Sequence, residues 1–235
     1  MRVATWNCSG RFRDKIQRAL ALDADITLVQ EAEHPTKYVD RLPGPWAWTD
    51  AGRGTGLLVF AREGWAVVRN DAAVKEPRFK HVMPLDAFTP RGERLAIWAV
   101  WCMNADRKAD AWVAQLHHAL DAMGELIYTP IVIAGDFNSN VRWDRERKRN
   151  HSRLTDRLGE RGILSAYHQV TGEAGGQESR PTFWLARSES KPFHIDYVFS
   201  DLPVRSVTVG SYSMWSGRTV TGGVSDHAPL AVDFE

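Results

Sequence analysis

Short apolar runs alternate along this chain with segments in which apolar residues recur every three or four positions. Residues 3–7 and 25–31 are predicted to be strands, and Phe12, Ile16 and Ala19 between them have the spacing of one helix face. Residues 131–134 form a continuous apolar run, as expected of a strand that is covered on both faces. The other strands predicted in this part of the chain lie at residues 56–60, 65–69 and 95–103.

A second long helix is predicted from the three- and four-residue spacing of Trp112, Leu116, Ala119, Met123 and Leu126. The C-terminal half is predicted to contain a helix near residues 152–158 and strands around residues 182–185, 194–199, 204–212 and 229–234. No low-complexity linker and no change of composition divides the chain. Mixed strands with interspersed helices predict one layered α/β or α+β domain over residues 1–235.

Composition excludes several classes of protein. With 235 residues, 43% hydrophobic and 10% aromatic side chains and a net charge of +1, the chain can bury enough apolar surface to fold, so it is not intrinsically disordered. No apolar run approaches the ~20 residues of a membrane-spanning helix, and no secretory signal precedes the first strand. Cys8 and Cys102 are too few for a disulfide framework or a four-cysteine zinc site. We therefore expect a soluble cytoplasmic protein, a monomer by preference, with no membrane partner.

Polar residues interrupt or end the apolar runs at several predicted strands. Glu31 and Asp136 each close a buried run, Asn7 ends the first strand, and Asp196 lies inside the strand at 194–199. The segment 225–227 (Ser-Asp-His) directly precedes the last strand. An isolated ionised carboxylate in an apolar environment costs several kcal/mol unless it meets a cation or hydrogen-bond donors. We therefore expect these side chains to converge on one site.

The types of residue in this set indicate what the site does. Asp136 and Asn138 are two positions apart, so in an extended segment their side chains point to the same face. Carboxylate and amide oxygens in the absence of cysteine favour a hard cation such as Mg²⁺ or Mn²⁺. His227 next to an aspartate, with a further Asp in a strand, indicates a general acid–base or electrostatic pair. Each position alone has a commoner structural explanation, so the prediction depends on the joint pattern.

Five segments of the chain together resemble the ordered motifs of the endonuclease/exonuclease/phosphatase superfamily. They follow the family's order from residue 5 to residue 229, so the resemblance covers nearly the whole chain. It implies an α/β fold, a four-layer sandwich in which two mixed β-sheets pack face to face and are flanked by helices, with the active site at one end of the sheets. The segments are Thr5-Trp6-Asn7, Val29-Gln30-Glu31, Gly135-Asp136-Phe137-Asn138, Ile195-Asp196-Tyr197 and Ser225-Asp226-His227-Ala228-Pro229.

The resemblance also implies a metal site. In this family pattern Glu31 is a metal ligand, with Asn7 and Asp226 completing or supporting the site. The cofactor implied is Mg²⁺, with Mn²⁺ as a possible substitute. A divalent ion neutralises the charge of an anionic phosphodiester and stabilises the leaving oxyanion, which is what hydrolysis of that bond requires.

The resemblance assigns the catalytic roles as well. Asp136 would position or activate the attacking water, and Asn138 would hydrogen-bond a phosphate oxygen or hold Asp136 in place. His227 would contact the phosphoryl oxygen, with Asp196 orienting it. This chain lacks the His or Tyr that many members carry after the middle strand, and Asn104 is the candidate substitute.

Two regions indicate contact with nucleic acid. Residues 142–161 carry eight basic and four acidic side chains and directly follow the Gly-Asp-Phe-Asn motif, where cations would bind phosphates. Residues 180–184 and 193–197 resemble the aromatic loop of the exonuclease III-like branch, whose rings stack on bases; the alternative is that these rings seal the core. The candidate substrate-binding residues are Arg142, Trp143, Arg145, Phe183, Trp184, Trp215 and Arg218.

Three functions remain open at this point. The preferred one is a nuclease that hydrolyses DNA or RNA phosphodiester bonds by metal- and Asp-assisted attack of water. The second is a phosphoesterase that acts on a small molecule or a lipid headgroup, although the sequence has no membrane anchor. The third is a catalytically silent binding module. The complete set of Glu31, Asp136, Asp196 and His227 is evidence against it, while the missing His or Tyr keeps it open.

Overall fold

Two six-stranded β-sheets, each with a parallel pair at its centre, make up most of the computed structural model. The structure describes residues 1–52, 54–70, 80–145, 148–217 and 224–235. In spatial order, the first sheet consists of β13 (Val204–Val209), β14 (Leu230–Phe234), β1 (Arg2–Asn7), β2 (Ile26–Glu33), β4 (Thr55–Ala61) and β3 (Trp46–Gly52). The second sheet consists of β5 (Ala66–Arg69), β6 (Val82–Phe88), β7 (Arg94–Trp101), β8 (Ile131–Asp136), β12 (Asp196–Ser200) and β9 (Leu164–Ser165).

Helices and a short ribbon connect these strands. The parallel pairs β1–β2 and β7–β8 each need a crossover, and each crossover contains a helix. None of the described helices has the length and apolarity that crossing a bilayer requires. The helices are α1 (Ile16–Leu20), α2 (Ala114–Met123), α3 (His151–Gly159), α4 (Ala166–Thr171) and α5 (Tyr212–Trp215), and the ribbon pairs β10 (Phe183–Trp184) with β11 (Pro192–Phe193).

Strand β7 shows how one apolar run contributes to two cores. Ile97 and Trp101 belong to the cluster between the two sheets, whereas Trp98 and Val100 pack with Leu116 of α2 on the other face. This division follows from the alternation of side chains along a strand. A third cluster joins the outer face of the first sheet to α1. The layers therefore run helices, sheet, sheet, helix, and the predicted four-layer α/β sandwich is confirmed.

Several predicted elements differ from those observed. The strands β3 and β6 were not predicted; β6 contains Pro84 and Asp86, residue types that are uncommon inside strands. Here Asp86 is ion-paired with Arg94 on the neighbouring strand. The predicted strand at 182–185 is only the two residues of β10, and the one at 204–212 ends at Val209. Helix α2 begins at Ala114, two residues after Trp112.

The strand ends bring the polar residues together. Asn7 is the last residue of β1, and Asp136 is the last residue of β8. Strand β12 runs antiparallel to β8 and begins at Asp196, so Asp196 lies directly opposite Asp136 in the register. The Asn7 side chain reaches Asp136 across the two sheets at 3.0 Å, so the carboxyl ends of β1 and β8 meet at one end of the sandwich.

Gly135, next to Asp136, allows β7 and β8 to approach closely. Its φ is 148°, and a Cβ there would lie 1.8 Å from the backbone oxygen of Val100. We expect Gly135→Ala to lower the free energy of unfolding by about 3 kcal/mol, because backbone atoms have to move apart to make room. Chemical denaturation checks this, with Gly124→Ala as the control, since a Cβ at Gly124 meets only the Arg161 guanidinium, at 3.5 Å. Equal stabilities of the two variants would contradict the prediction.

Candidate active site

A single asparagine amide joins carboxylates from the two sheets. Asn7 Nδ2 donates hydrogen bonds to Glu31 Oε1 at 3.1 Å and to Asp136 Oδ2 at 3.0 Å. The amide keeps this orientation because its Oδ1 accepts a hydrogen bond from the backbone N–H of Ser9 at 3.0 Å. Glu31, from the first sheet, and Asp136, from the second, therefore face the same site.

Two residues of the site have left-handed backbone conformations. Glu31 has a φ of 62° and Asn138 a φ of 45°, which is unusual for residues other than glycine. At Glu31 the cause is an irregularity in β2, whose register against β4 shifts between Val29 and Ala32. Strained backbone of this kind is concentrated at functional sites, where the surrounding structure maintains it.

Asp136 is fully buried and is held by amides. Besides the bond from Asn7, Asn138 donates its backbone N–H to Oδ1 at 2.8 Å and its Nδ2 to Oδ2 at 3.0 Å. The Asn138 side chain is itself fixed, because Nδ2 also donates to the carbonyl oxygen of Cys102 at 2.8 Å. Burial raises the pKa of Asp136 to about 7, although the positive charge of His227 opposes this shift. A carboxylate with this pKa is suited to accept a proton from water near neutral pH.

His227 lies between two carboxylates. Its Nδ1 donates to Asp196 Oδ2 at 2.9 Å, and its Nε2 is 3.9 Å from Asp136 Oδ2. Burial by itself would lower the pKa of His227, but the charges of Asp196 and Asp136 raise it to about 10. The imidazole is therefore a cation at neutral pH, and both ring nitrogens carry hydrogen.

Two hydroxyl groups that the sequence analysis missed hold this pair in place. Thr182 Oγ1 accepts hydrogen bonds from two successive backbone N–H groups, one of them that of Asp196, each at 3.0 Å. Ser225 Oγ donates to the carbonyl oxygen of Asn7 at 2.7 Å and accepts from the backbone N–H of His227 at 3.0 Å. The position of Ser225 inside the Ser-Asp-His segment was an available signal, whereas nothing in the sequence marks Thr182.

The carboxylates of Asp136 and Asp196 and the imidazole of His227 each bring one ligand atom to within 4.8 Å of the others. An imidazole binds a metal only in its unprotonated form. In His227 the carboxylate of Asp196 holds Nδ1 at 2.9 Å, and the charges of Asp196 and Asp136 raise the pKa of the ring, so both its nitrogens are suited to donate hydrogen bonds. This group of three, which we call the catalytic cluster, suits proton transfer and charge stabilisation.

The oxygen donors beside the catalytic cluster fit a hard divalent cation. Glu31 is half-buried, and the Asn7 amide is its one hydrogen-bond partner among the described residues, so carboxylate lone pairs remain for a ligand. Asp226, next to His227, is also half-buried. A donor set of carboxylate oxygens without sulfur suits Mg²⁺ or Mn²⁺. Glu31 and Asp226 are the residues that would hold such an ion, and Asn7 would support the site by orienting the Glu31 carboxylate.

Four of the predicted substrate-binding residues are accessible at or near this site. Trp143 is 44% exposed, and Arg142 and Arg145 on either side of it are exposed as well. Phe183 is half-buried, with its ring centroid 4.7 Å from that of His227. Their positions are compatible with contact to a substrate held at the catalytic cluster.

Two other predicted substrate contacts are corrected. Trp184 is 3% exposed and packs against Tyr212 with ring centroids 5.2 Å apart, and Trp215 is 6% exposed and packs edge to face on Trp6 at 5.0 Å. Rings buried in this way cannot stack on a base. The alternative, that the aromatic rings of residues 180–184 seal the core, therefore applies to Trp184, and Trp215 is a core residue as well. Arg218 lies outside the described residues.

The segment after β7 supplies no side chain to the catalytic cluster within the described part of the chain. Asn104 is exposed, and its side-chain oxygen accepts from the backbone N–H of the next residue, Ala105, at 3.0 Å. No hydrogen bond between described residues joins Asn104 to the catalytic cluster, so its catalytic role stays a prediction. The neighbouring Trp101 and Cys102 are buried, and Cys102 contributes only its carbonyl oxygen, which holds Asn138.

Comparison with solved structures finds this fold in proteins of low sequence identity. The 3'-5' exonuclease (NExo) from Neisseria meningitidis is 19% identical, with a TM-score of 0.68 over 100% of both chains. The Neisseria 3' phosphatase NExo bound to a product DNA hairpin is also 19% identical, with a TM-score of 0.66 over 100% of this chain and 99% of that chain. The D. rerio TDP2 complexed with a single-strand DNA product is 14% identical, with a TM-score of 0.66 over 100% and 98%.

Comparison at the level of sequence identifies the family. Among curated protein sequences none matches this chain significantly. The model of the Endonuclease/Exonuclease/phosphatase family, however, matches residues 4–227, a range that contains Asn7, Glu31, Asp136, Asp196 and His227. The sequence match and the shared fold agree with each other. The chain belongs to the endonuclease/exonuclease/phosphatase family of phosphoester hydrolases.

Proposed function

We propose that this protein is a metal-dependent nuclease that hydrolyses phosphodiester bonds of DNA or RNA with water as the nucleophile. The observation that carries the proposal is the pairing of a base with a cation in the catalytic cluster. The buried carboxylate of Asp136, with a pKa raised to about 7, lies 3.9 Å from the imidazolium of His227. Attack on an anionic phosphodiester requires both a proton acceptor for water and a positive group at the phosphate.

Asp136 is the proton acceptor in this mechanism. As the water oxygen forms its bond to phosphorus, its proton passes to the Asp136 carboxylate, and the bond from phosphorus to the leaving oxygen breaks. Asn7 and Asn138 hold the carboxylate through three hydrogen bonds of 2.8–3.0 Å. The base therefore keeps one orientation throughout the reaction, and no rotation has to precede proton transfer.

His227 stabilises the phosphate. Its Nδ1–H is bound to Asp196, which leaves Nε2–H free to donate to a non-bridging phosphate oxygen. Asp196 keeps the imidazole both charged and oriented, since its carboxylate is the principal group that raises the pKa of His227. A hydrogen bond of this kind is directed at charge that develops in the transition state. It typically raises kcat by about a hundred- to a thousandfold.

Glu31 and Asp226 would hold the divalent cation that this mechanism requires. Held by Glu31 and Asp226, Mg²⁺ would neutralise phosphate charge and stabilise the leaving oxygen. Support for a nucleic acid as substrate comes from the exposed Arg142 and Arg145, whose charges suit a phosphate backbone. It also comes from two of the structural neighbours, which are bound to DNA products.

The test of this function is cleavage with and without metal. We expect the purified protein to cut single- or double-stranded DNA or RNA in Mg²⁺ or Mn²⁺ and to lose that activity in excess chelator. The panel includes abasic duplex DNA and a small bis-aryl phosphodiester. Turnover of the small ester alone would favour a phosphoesterase that acts on a small molecule or a lipid headgroup. Cleavage of none of these substrates would favour a catalytically silent binding module. Cleavage that resists chelation would contradict the metal requirement.

A Glu31→Gln variant separates metal binding from the other steps. We expect its affinity for Mn²⁺, measured by titration calorimetry, to fall at least about tenfold, because a charged ligand becomes a neutral one. Glu125→Gln, which changes an exposed carboxylate next to α2, is the matched control. Unchanged Mn²⁺ binding by Glu31→Gln would remove Glu31 from the metal site.

A further inference from the structure

A cavity of about 860 Å³ opens beside the catalytic cluster, between the loop that precedes α2 and the loop that follows β8. This volume lies in the range of about 300–1,000 Å³ that is typical of pockets for small organic ligands. The described residues on its two sides include Lys108 and Trp112 before α2 and Trp143, Arg145 and Lys148 after β8. We call it the two-tryptophan cavity.

Both tryptophans are partly exposed, although the ring of Trp143 also packs against that of Phe193 with centroids 4.9 Å apart. Trp112 is 41% exposed and Trp143 is 44% exposed, whereas other indoles such as Trp6 and Trp98 are fully buried in the core. Trp112 also has a φ of 58°, a left-handed conformation that is uncommon for a bulky residue. Its backbone N–H is tied to the carbonyl oxygen of Met103 at 2.7 Å, so the strained residue is held in place. A strained backbone that presents an indole to a cavity suggests a binding role.

The charges that line the two-tryptophan cavity are suited to an anion. Lys108, Arg145 and Lys148 form no ion pair with any described residue. The one acidic side chain among the described lining residues is Asp144, and its oxygens are used to cap α3. They accept hydrogen bonds from the first two backbone N–H groups of that helix, including Ser152, each at 2.8 Å. Among the lining residues that the structure describes, the cavity therefore presents cations, and its one carboxylate is occupied by hydrogen bonds to α3.

Two residues that line the cavity also contact the catalytic cluster. Asn138 lines the cavity and donates to Asp136 at 3.0 Å, and Phe183 lines the cavity with its ring 4.7 Å from that of His227. Phe193 connects the aromatic rings, since its ring centroid is 6.4 Å from that of Phe183 and 4.9 Å from that of Trp143. A ligand in the cavity would therefore lie next to a phosphate held at Asp136 and His227.

We propose that the two-tryptophan cavity binds an unpaired nucleotide of the substrate strand, with its base on the indoles of Trp112 and Trp143 and its phosphate near Lys108, Arg145 and Lys148. This inference rests on the proposed nuclease function and adds a preference for single-stranded substrate to it. Aromatic faces bind bases of any sequence once these are unstacked, and cations beside them bind the backbone. Bases inside a duplex are stacked on their neighbours, so their faces are not available to the indoles.

Equilibrium binding tests the cavity without catalysis. Fluorescence anisotropy of labelled single-stranded and fully paired oligonucleotides, in chelator so that no cleavage occurs, gives a Kd for each. We expect Trp112→Ala and Trp143→Ala to weaken single-strand binding by about 5- to 150-fold and to change duplex binding by less than about twofold. Trp112→Phe, which keeps an aromatic face, is expected to recover most of the affinity. Val68→Ala, at an exposed position on β5, is the remote control, and melting curves verify that each variant is folded.

Each outcome has a definite meaning for the proposal. Selective loss of single-strand affinity in both tryptophan variants supports it. Unchanged single-strand affinity overturns it, and so does an equal loss for single strands and duplex, which would indicate a surface for paired DNA. If the wild-type protein cuts nucleic acid while the variants bind as it does, only the cavity assignment fails. If the wild type neither binds nor cuts any nucleic acid, both the proposed nuclease function and the cavity assignment fail.

Discussion

Replacing Asp136 by asparagine is expected to lower the rate of phosphodiester cleavage by about a hundred- to a thousandfold. The change removes the proton acceptor for water while preserving the size of the side chain, and loss of one such transition-state interaction typically costs two to three decades of rate. The fold is expected to remain intact, because an ionised carboxylate at this fully buried position does not stabilise the protein: burial raises its pKa to about 7. Single-turnover kinetics at saturating metal measure the effect.

The control for this substitution is Asp233→Asn. Asp233 pairs with Arg2 at the start of β1, whereas Asn7, which donates to Asp136, is the last residue of that strand. We expect its cleavage rate to equal that of the wild type. A folded Asp136→Asn protein that cleaves at the wild-type rate would show that the proton acceptor is another group, and the assignment made here would be wrong.

Removing Asp196 is expected to lower activity at least tenfold at neutral pH and to change its pH dependence. In the wild type the pKa of His227 is about 10, raised by Asp196 and Asp136 against the effect of burial. The active form is the imidazolium, so activity should fall as the pH rises through this pKa. In Asp196→Asn the main group that raises the pKa is lost while burial remains, so this loss of activity should move to lower pH.

The pH profile distinguishes an orienting role from simple damage to the fold. NMR titration of the His227 ring in the wild type and in Asp196→Asn gives the two pKa values directly, and His227→Ala gives the activity without any imidazole. Because Asp196 acts through His227, adding Asp196→Asn to His227→Ala should lower the rate little further. Additive losses, or a pKa for His227 that does not change in Asp196→Asn, would contradict the role assigned to Asp196.

The sequence predicted the structure best at positions where a charged residue lies in an apolar run. Glu31, Asp136 and Asp196 could be recognised in the sequence because charged groups inside apolar runs need partners, and the structure brings them to one end of the sheets. The strand β6 was missed for the opposite reason: Pro84 and Asp86 obscure its pattern, and only pairing with β5 and β7 makes it a strand.

The sequence left two explanations for Trp184, contact with a base or a place in the core, and it predicted only substrate contact for Trp143 and Trp215; packing decided each case. Trp184 and Trp215 are core residues, while Trp143 is exposed next to the site. Nothing in the spacing of these residues distinguishes a ring that covers the core from one that faces a ligand. That difference depends on what the rest of the chain places against each ring.

The amino-acid sequence by itself determined the family, the layered α/β class and the acidic, amide and imidazole groups at the strand ends, because local patterning and the cost of burying charge are visible in one dimension. Only the tertiary structure decided that Asn7 bridges Glu31 and Asp136, that the pKa values of Asp136 and His227 move to about 7 and about 10, and that Trp112 and Trp143 share a cavity. These properties arise from contacts between residues far apart in the chain, where electrostatic energy and shape depend on distances of a few ångströms.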